Sequence, residues 1–221
     1  MPFDLPSVEL LVIKGAVLAI LLLVAFPVHE FAHAMAAFQL GDSTARYQGR
    51  LTLDPRSHWD PQGGLLLIIS VLLTPFGFGW AKPTPYNPFN LRGGNWGEAI
   101  VSAAGPISNL VMAIAASIPL RYIDASGMDV EILAFVLYYF VAINLGLMIF
   151  NLIPIPPLDG SKVLYAFLDK RTVYQIRPVL EQYGFLILLG AMLLPIFGGQ
   201  TLISIIFGEL IGPLLSLLTG R

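Results

Sequence analysis

His29-Glu30-Phe31-Ala32-His33 is the stretch of this sequence whose residue types and spacing most directly specify chemistry. Positions four apart lie on one face of an α-helix, so both imidazoles can reach a single cation. The glutamate between them projects beside that cation, placed to take a proton from an attacking water. The flanking Ala, Leu, Met and Phe residues favour the helix that the spacing needs. A catalytic zinc site ordinarily has three protein ligands and one open position, so a third donor must come from elsewhere in the chain. The chain has no cysteine, which leaves His58 and the carboxylates. Asp42, Asp54, Asp60, Asp124, Asp129, Glu131 and Asp169 read as loop residues. Asp159 stands apart, because it follows a proline-constrained stretch at the end of an apolar run and precedes Gly160.

The elements that must position these groups are those of a membrane protein. Of the 221 residues, 56% are hydrophobic and only 12% charged, against roughly 25% charged in an ordinary soluble domain. Too few charges are present to coat a water-soluble globule. A net charge of -2 argues against nucleic-acid binding and against a polybasic membrane-surface protein. The Met1 end carries Asp4 and Glu9 and no basic residue, so the first apolar segment is expected to be retained rather than cleaved as a signal.

A bilayer core needs about 20 mostly apolar residues of helix. Residues 8–40 supply them, interrupted by Pro27 and the histidine motif; 99–120, 132–153 and 179–197 are long enough to cross, and 201–218, with Glu209, is marginal. Residues 64–79 are uncharged but short and broken by Pro75, Gly77 and Gly79. Lipid offers no partner to unpaired backbone, so the spans must be helical. The expected fold is an all-α polytopic membrane protein, one domain over 1–221, with five to six transmembrane or re-entrant segments. A small cytoplasmic-side β-hairpin is expected at 44–53, where residues alternate around Gly49 before Asp54-Pro55, with a solvated connecting loop as the alternative.

His29, His33 and Asp159 share one side and depth only if an even number of crossings separates them. Segments 99–120 and 132–153 provide two, so 64–79 is expected not to cross fully but to form a re-entrant or interfacial segment. Under that topology Arg46, Arg50, Arg56, Lys82, Arg92, Lys162, Lys170, Arg171, Arg177 and Arg221 face the cytoplasm and Arg121 faces away, which satisfies the positive-inside bias. Lys14 can snorkel to the opposite interface, about 22 Å from His29 at 1.5 Å per residue.

The zinc motif, together with Asn151-Leu152-Ile153-Pro154 and Leu158-Asp159-Gly160, resembles the site-2 protease family of intramembrane zinc metalloproteases. Gly105-Pro106-Ile107-Ser108-Asn109 is similar to that family's glycine-proline signature, and Gly79-Trp80-Ala81-Lys82-Pro83 to a segment of its compact members without a PDZ or CBS domain. The resemblance implies one zinc ion per chain held by His29, His33 and Asp159, with Glu30 as the catalytic base. It also implies Asn151 as a hydrogen-bond donor to substrate or transition state; a helix-terminal cap is the alternative. Gly105, Pro106 and Asn109 become structural or substrate-side candidates, Asn109 by packing or hydrogen bonding beside the zinc helix.

The implied activity is hydrolysis of peptide bonds in or near transmembrane segments of membrane-anchored substrates, as in regulated intramembrane proteolysis. The implied setting is the cell membrane, with the site toward the cytoplasm and no nucleic acid among the partners. A substrate segment must unwind to be cut, and 44–53 or 64–79 is expected to offer it a strand edge. A metal or ion transporter is the main alternative, but it needs no glutamate inside a histidine pair, and no internal repeat is apparent. An inactive relative serving as a binding module is the other; intact His29, Glu30, His33 and Asp159 count against it.

Overall fold

Pro27 lies inside the first long helix rather than ending it. The computed structural model describes residues 7–73 and 79–221, and there α1 (Ser7–Ile20), a π-helical turn (Leu21–Ala25) and α2 (Phe26–Gln39) run on continuously. Proline has no N–H and crowds the carbonyl one turn earlier. The wider π turn, closed by the Phe26 N–H donating to the Leu21 carbonyl, absorbs that conflict. His29, His33 and Ala37 then fall on one buried face of α2.

Asp42 fastens the end of α2. Its fully buried carboxylate accepts from the Thr44 hydroxyl at 2.7 Å, the Asn87 N–H at 2.9 Å and the Asn90 amide at 2.9 Å. The segment expected to be a hairpin is therefore something else. Thr44–Tyr47 is a helical turn, α3, whose Tyr47 and Gln48 N–H groups donate to the Ser43 and Thr44 carbonyls. Asp42 and these local bonds satisfy the backbone without a partner strand, and Arg50 turns inward to the Lys82 and Pro83 carbonyls. α4 (Pro55–His58) follows, with Asp54 accepting from the Arg56 N–H. The small antiparallel hairpin is elsewhere, between β1 (Pro195–Phe197) and β2 (Gln200–Thr201).

α5 (Pro61–Leu73) is too short to carry the chain across and leave it there. Residues 74–78 lie outside the described residues, but Gly79 returns to the start of α5, where a Cβ on it would meet the Gly63 carbonyl at 2.5 Å. The Lys82 N–H donates to the His58 carbonyl at 2.9 Å. The two ends of this segment therefore lie at one level, as a re-entrant segment requires. At its far end the Leu72 carbonyl accepts from Lys14 Nζ at 2.9 Å, a cation closing a helix C-terminus.

α6 (Asn95–Ser126) and α7 (Glu131–Asn151) form an antiparallel pair turned at Gly127, and α8 (Asp159–Phe167) follows a proline-rich turn. α9 (Lys170–Leu193) is capped by Asp169 and leads through the hairpin to α10 (Leu202–Thr219). Among the described residues five helices are long and apolar enough to cross a membrane, and exposed side chains such as Leu23, Ile107, Ile118, Ile132 and Leu217 suit a lipid-facing surface.

The last two helices correct the expected placement of Arg221. Phe207 packs on Phe150, Leu214 and Leu218 pack on the Val141 and Leu145 cluster, and Arg221 pairs with Asp124 at 2.5 Å. α10 thus runs antiparallel to α7, and Arg221 lies with Arg121 at the Asp124 end of the bundle. α9 stays at the other end. Its Arg177 binds Glu98 near the start of α6, Gly184 lies against Pro156, and Met192 packs with Ile153, Leu158 and Ile203. Length and hydropathy suit α9 to a crossing; its contacts keep both ends on the Asn95 side. The basic residues then divide with Arg46, Arg50, Arg56, Lys82, Arg92, Lys162, Lys170, Arg171 and Arg177 at the Asn95 end, and Lys14, Arg121 and Arg221 opposite.

Candidate metal centre

Three donor atoms from two distant parts of the chain converge inside the bundle. His29 Nε2 and His33 Nε2 are 3.0 Å apart, and Asp159 Oδ2 is 3.3 Å from each. Ligands at about 2.0–2.1 Å from a tetrahedral zinc would stand about 3.3 Å from one another, so this spacing fits the ion. Both imidazoles are buried and the Asp159 side chain is 13% exposed. The ligand set forms the one His/Asp/Glu group among the described residues that could hold a metal.

The other ring nitrogens explain why lone pairs point inward. His33 Nδ1 lies 2.7 Å from the Val101 carbonyl, which can only accept, so Nδ1 carries the proton. His29 Nδ1 lies 2.6 Å from Asn109 Oδ1. In the neutral imidazoles both Nε2 atoms are then free of hydrogen, and two facing lone pairs beside a carboxylate suit a bound cation. Space for it comes from α6. A Cβ on Gly105 would sit 2.6 Å from His29 Nε2 and nearer still to His33 Nε2, so the glycine provides room for the ion. Pro106 and Asn109, both buried, follow it on the same helix.

Glu30 lies across the cleft, held by the 79–87 strip. The Thr84 N–H donates to Glu30 Oε2 at 2.7 Å and the Thr84 hydroxyl to the Glu30 carbonyl at 2.9 Å. The cleft, about 430 Å³, is lined at its polar end by Glu30, Thr84, Tyr86, Asp159 and Lys162 and at its apolar end by Phe26, Leu147, Phe150, Phe185 and Leu188. Lys162 sits over the Tyr86 ring. Burial lowers its pKa, but Tyr86, Asp159 and Glu98 outweigh that and raise it, so Lys162 is a cation in the cleft. Asn151 also lines the cleft, with Nδ2 donating to the Leu147 carbonyl at 2.9 Å.

The profile of peptidase family M50 matches residues 118–194, a stretch that includes Asn151 and Asp159. Over 185 residues, 81% of this chain and 81% of the relative, the sequence is 37% identical to the "Putative zinc metalloprotease YwhC" of Bacillus subtilis (strain 168). The chain belongs to the M50 family, the site-2 proteases. It is also 31% identical over 203 residues, 88% of this chain and 71% of the relative, to the "Putative zinc metalloprotease Rip2" of Mycolicibacterium smegmatis. No solved structure matches the chain. This M50 protein is a multi-pass membrane zinc metalloprotease.

Of the residues singled out from the sequence, His29, His33, Asp159, Gly105 and Asn109 meet at the centre, Glu30 and Asn151 line the same cleft, and His58 lies apart. That side chain is buried against the Thr52 carbonyl and Arg50, away from the centre. Val101, Thr84, Lys162 and Asn144 were not found from sequence. A lone Asn144 within the otherwise apolar 132–150 was the available signal, because a carboxamide at such depth is costly unless bonded.

Proposed function

We propose that this M50 protease hydrolyses peptide bonds within or close to transmembrane segments of membrane-anchored proteins, acting in regulated intramembrane proteolysis. His29, His33 and Asp159 hold the zinc, and Glu30 is the general base. The observation that carries this reading is the meeting of three inward-facing donor atoms and the Glu30 carboxylate in one cleft walled by apolar helices. Bound zinc supplies a Lewis acid that polarises the scissile carbonyl and makes the attacking water more acidic. Glu30, oriented by Thr84, takes a proton from that water as its oxygen joins the carbonyl carbon. It returns the proton to the amide nitrogen as the C–N bond breaks. Asn151 keeps a second amide N–H beyond the bond to Leu147, and that donor meets a substrate carbonyl in the cleft.

The site faces the cytoplasmic side of the cell membrane. Nine of the chain's 12 basic residues, named above, gather at the Asn95 end with the ligands, and positive charge in short loops marks the cytoplasmic face.

Reconstituted protein and a single-pass substrate test the chemistry. Glu30→Gln is expected to keep one zinc per chain and to lose cleavage by about 10²-fold or more. Asp159→Asn is expected to lose zinc as well. Undiminished cleavage by zinc-loaded Glu30→Gln overturns the mechanism.

A further inference from the structure

Asn144 stands at the middle of α7, fully buried, with apolar residues on either side of it in sequence. Its amide Nδ2 donates to the Phe140 carbonyl at 2.9 Å, and its Oδ1 accepts from Asn109 Nδ2 at 2.9 Å. Asn109, also fully buried, presents Oδ1 to His29 Nδ1 at 2.6 Å. These three bonds have only one consistent direction. A backbone carbonyl can only accept, so Asn144 must turn its NH₂ to Phe140 and its oxygen to Asn109. Asn109 must then turn its NH₂ to Asn144 and its oxygen to His29. His29 must then carry a proton on Nδ1, which in the neutral ring leaves the Nε2 lone pair facing His33 and Asp159.

We propose that Asn144 is a positioning residue of the metal centre, anchoring on the Phe140 carbonyl a relay through Asn109 that sets the tautomer and ring orientation of His29. His33 needs no such relay, because its Nδ1 meets the Val101 carbonyl directly. Asn109 alone does not suffice for His29. A carboxamide rotated by half a turn would offer N–H where it now offers oxygen, selecting the tautomer whose proton lies on Nε2, where the ion must bind. Asn144 blocks that rotation, since the flipped Asn109 would face it oxygen to oxygen. The relay also joins α7 to the α2–α6 pair at the depth of the ligands.

This inference rests on the zinc reading of His29, His33 and Asp159. Its test is zinc affinity, measured by competition with a chelator on the purified full chain, with the cobalt-substituted absorption spectrum as a second readout. Asn144→Leu and the smaller Asn144→Ala both remove the two bonds, and each is expected to weaken zinc about 10-fold or more and to alter the cobalt spectrum. Asn109→Ala is expected to weaken zinc similarly. In the Asn109→Ala background, Asn144→Ala is expected to change affinity by less than about 2-fold, because the relay is already cut. Wild-type affinity in the single variants, or effects that multiply in the double variant, overturns the relay. If the wild type binds no zinc, or His29→Ala binds it as tightly, the zinc reading itself has failed.

Discussion

At Gly105 even one methyl group would fall among the ring atoms of His29 and His33, the nearest of which are within 2.6 Å of where it would stand. The ligand helix packs flush on α6 there, so neither ring has another place to go. Gly105→Ala is therefore expected to lose zinc and at least about 100-fold of the cleavage rate while the helical circular dichroism stays that of the wild type. Normal zinc content in that variant would contradict the packing described. The ligand pair and Glu30 were legible from spacing, because helical periodicity alone puts positions four apart on one face. Val101 and Thr84 were not, since both contribute backbone groups that every residue type carries.

At the scale of elements, Asp42, and not a hairpin, holds the chain beyond α2 against the strip that reaches Glu30. Burial works against its charge, but donors from Thr44, Asn90 and Asn87 hold its pKa below the usual carboxylate range. A carboxylate with a depressed folded pKa stabilises above its unfolded pKa, about 3.9, and loses that contribution as the pH falls toward the folded value. Asp42→Ala is expected to cost about 1–3 kcal/mol at neutral pH and to flatten the fall in Tm between about pH 4 and pH 3. Thermal melts across pH 3–7 for the two proteins check both. Alternation in the 44–53 stretch read as strand because polar and apolar residues can alternate over a few positions in a turn. What decided the outcome was the Asn87–Asn90 segment returning to Asp42, a long-range event.

For the whole molecule the decisive feature is the course of α9 and α10. α9 keeps both ends with the ligands, so α10 runs toward Asp124 and carries Arg221 to the Arg121 face. The native chain has no cysteine, so single reporters are free of background. Cysteines at Gln48 and Tyr174 are expected to label from one side of sealed vesicles, and those at Tyr122 and Arg221 from the other. Labelling of Arg221→Cys together with Gln48→Cys would restore the simpler alternating topology and refute the contacts of α10.

The sequence by itself determined that this protein lives in a membrane and that two imidazoles and a glutamate share one helical segment. Those properties follow from hydropathy, helical repeat and the limits on unpaired backbone in lipid, all local in the chain. Only the tertiary structure decided that Asp159 stands 3.3 Å from both histidines, that Gly105 leaves the space between them, and that Asn144 reaches His29 through Asn109. It also decided that a helix long enough to cross stays on one end of the bundle. The reason is physical: length and hydropathy set which helices can enter lipid, but the partners a helix meets set where it lies.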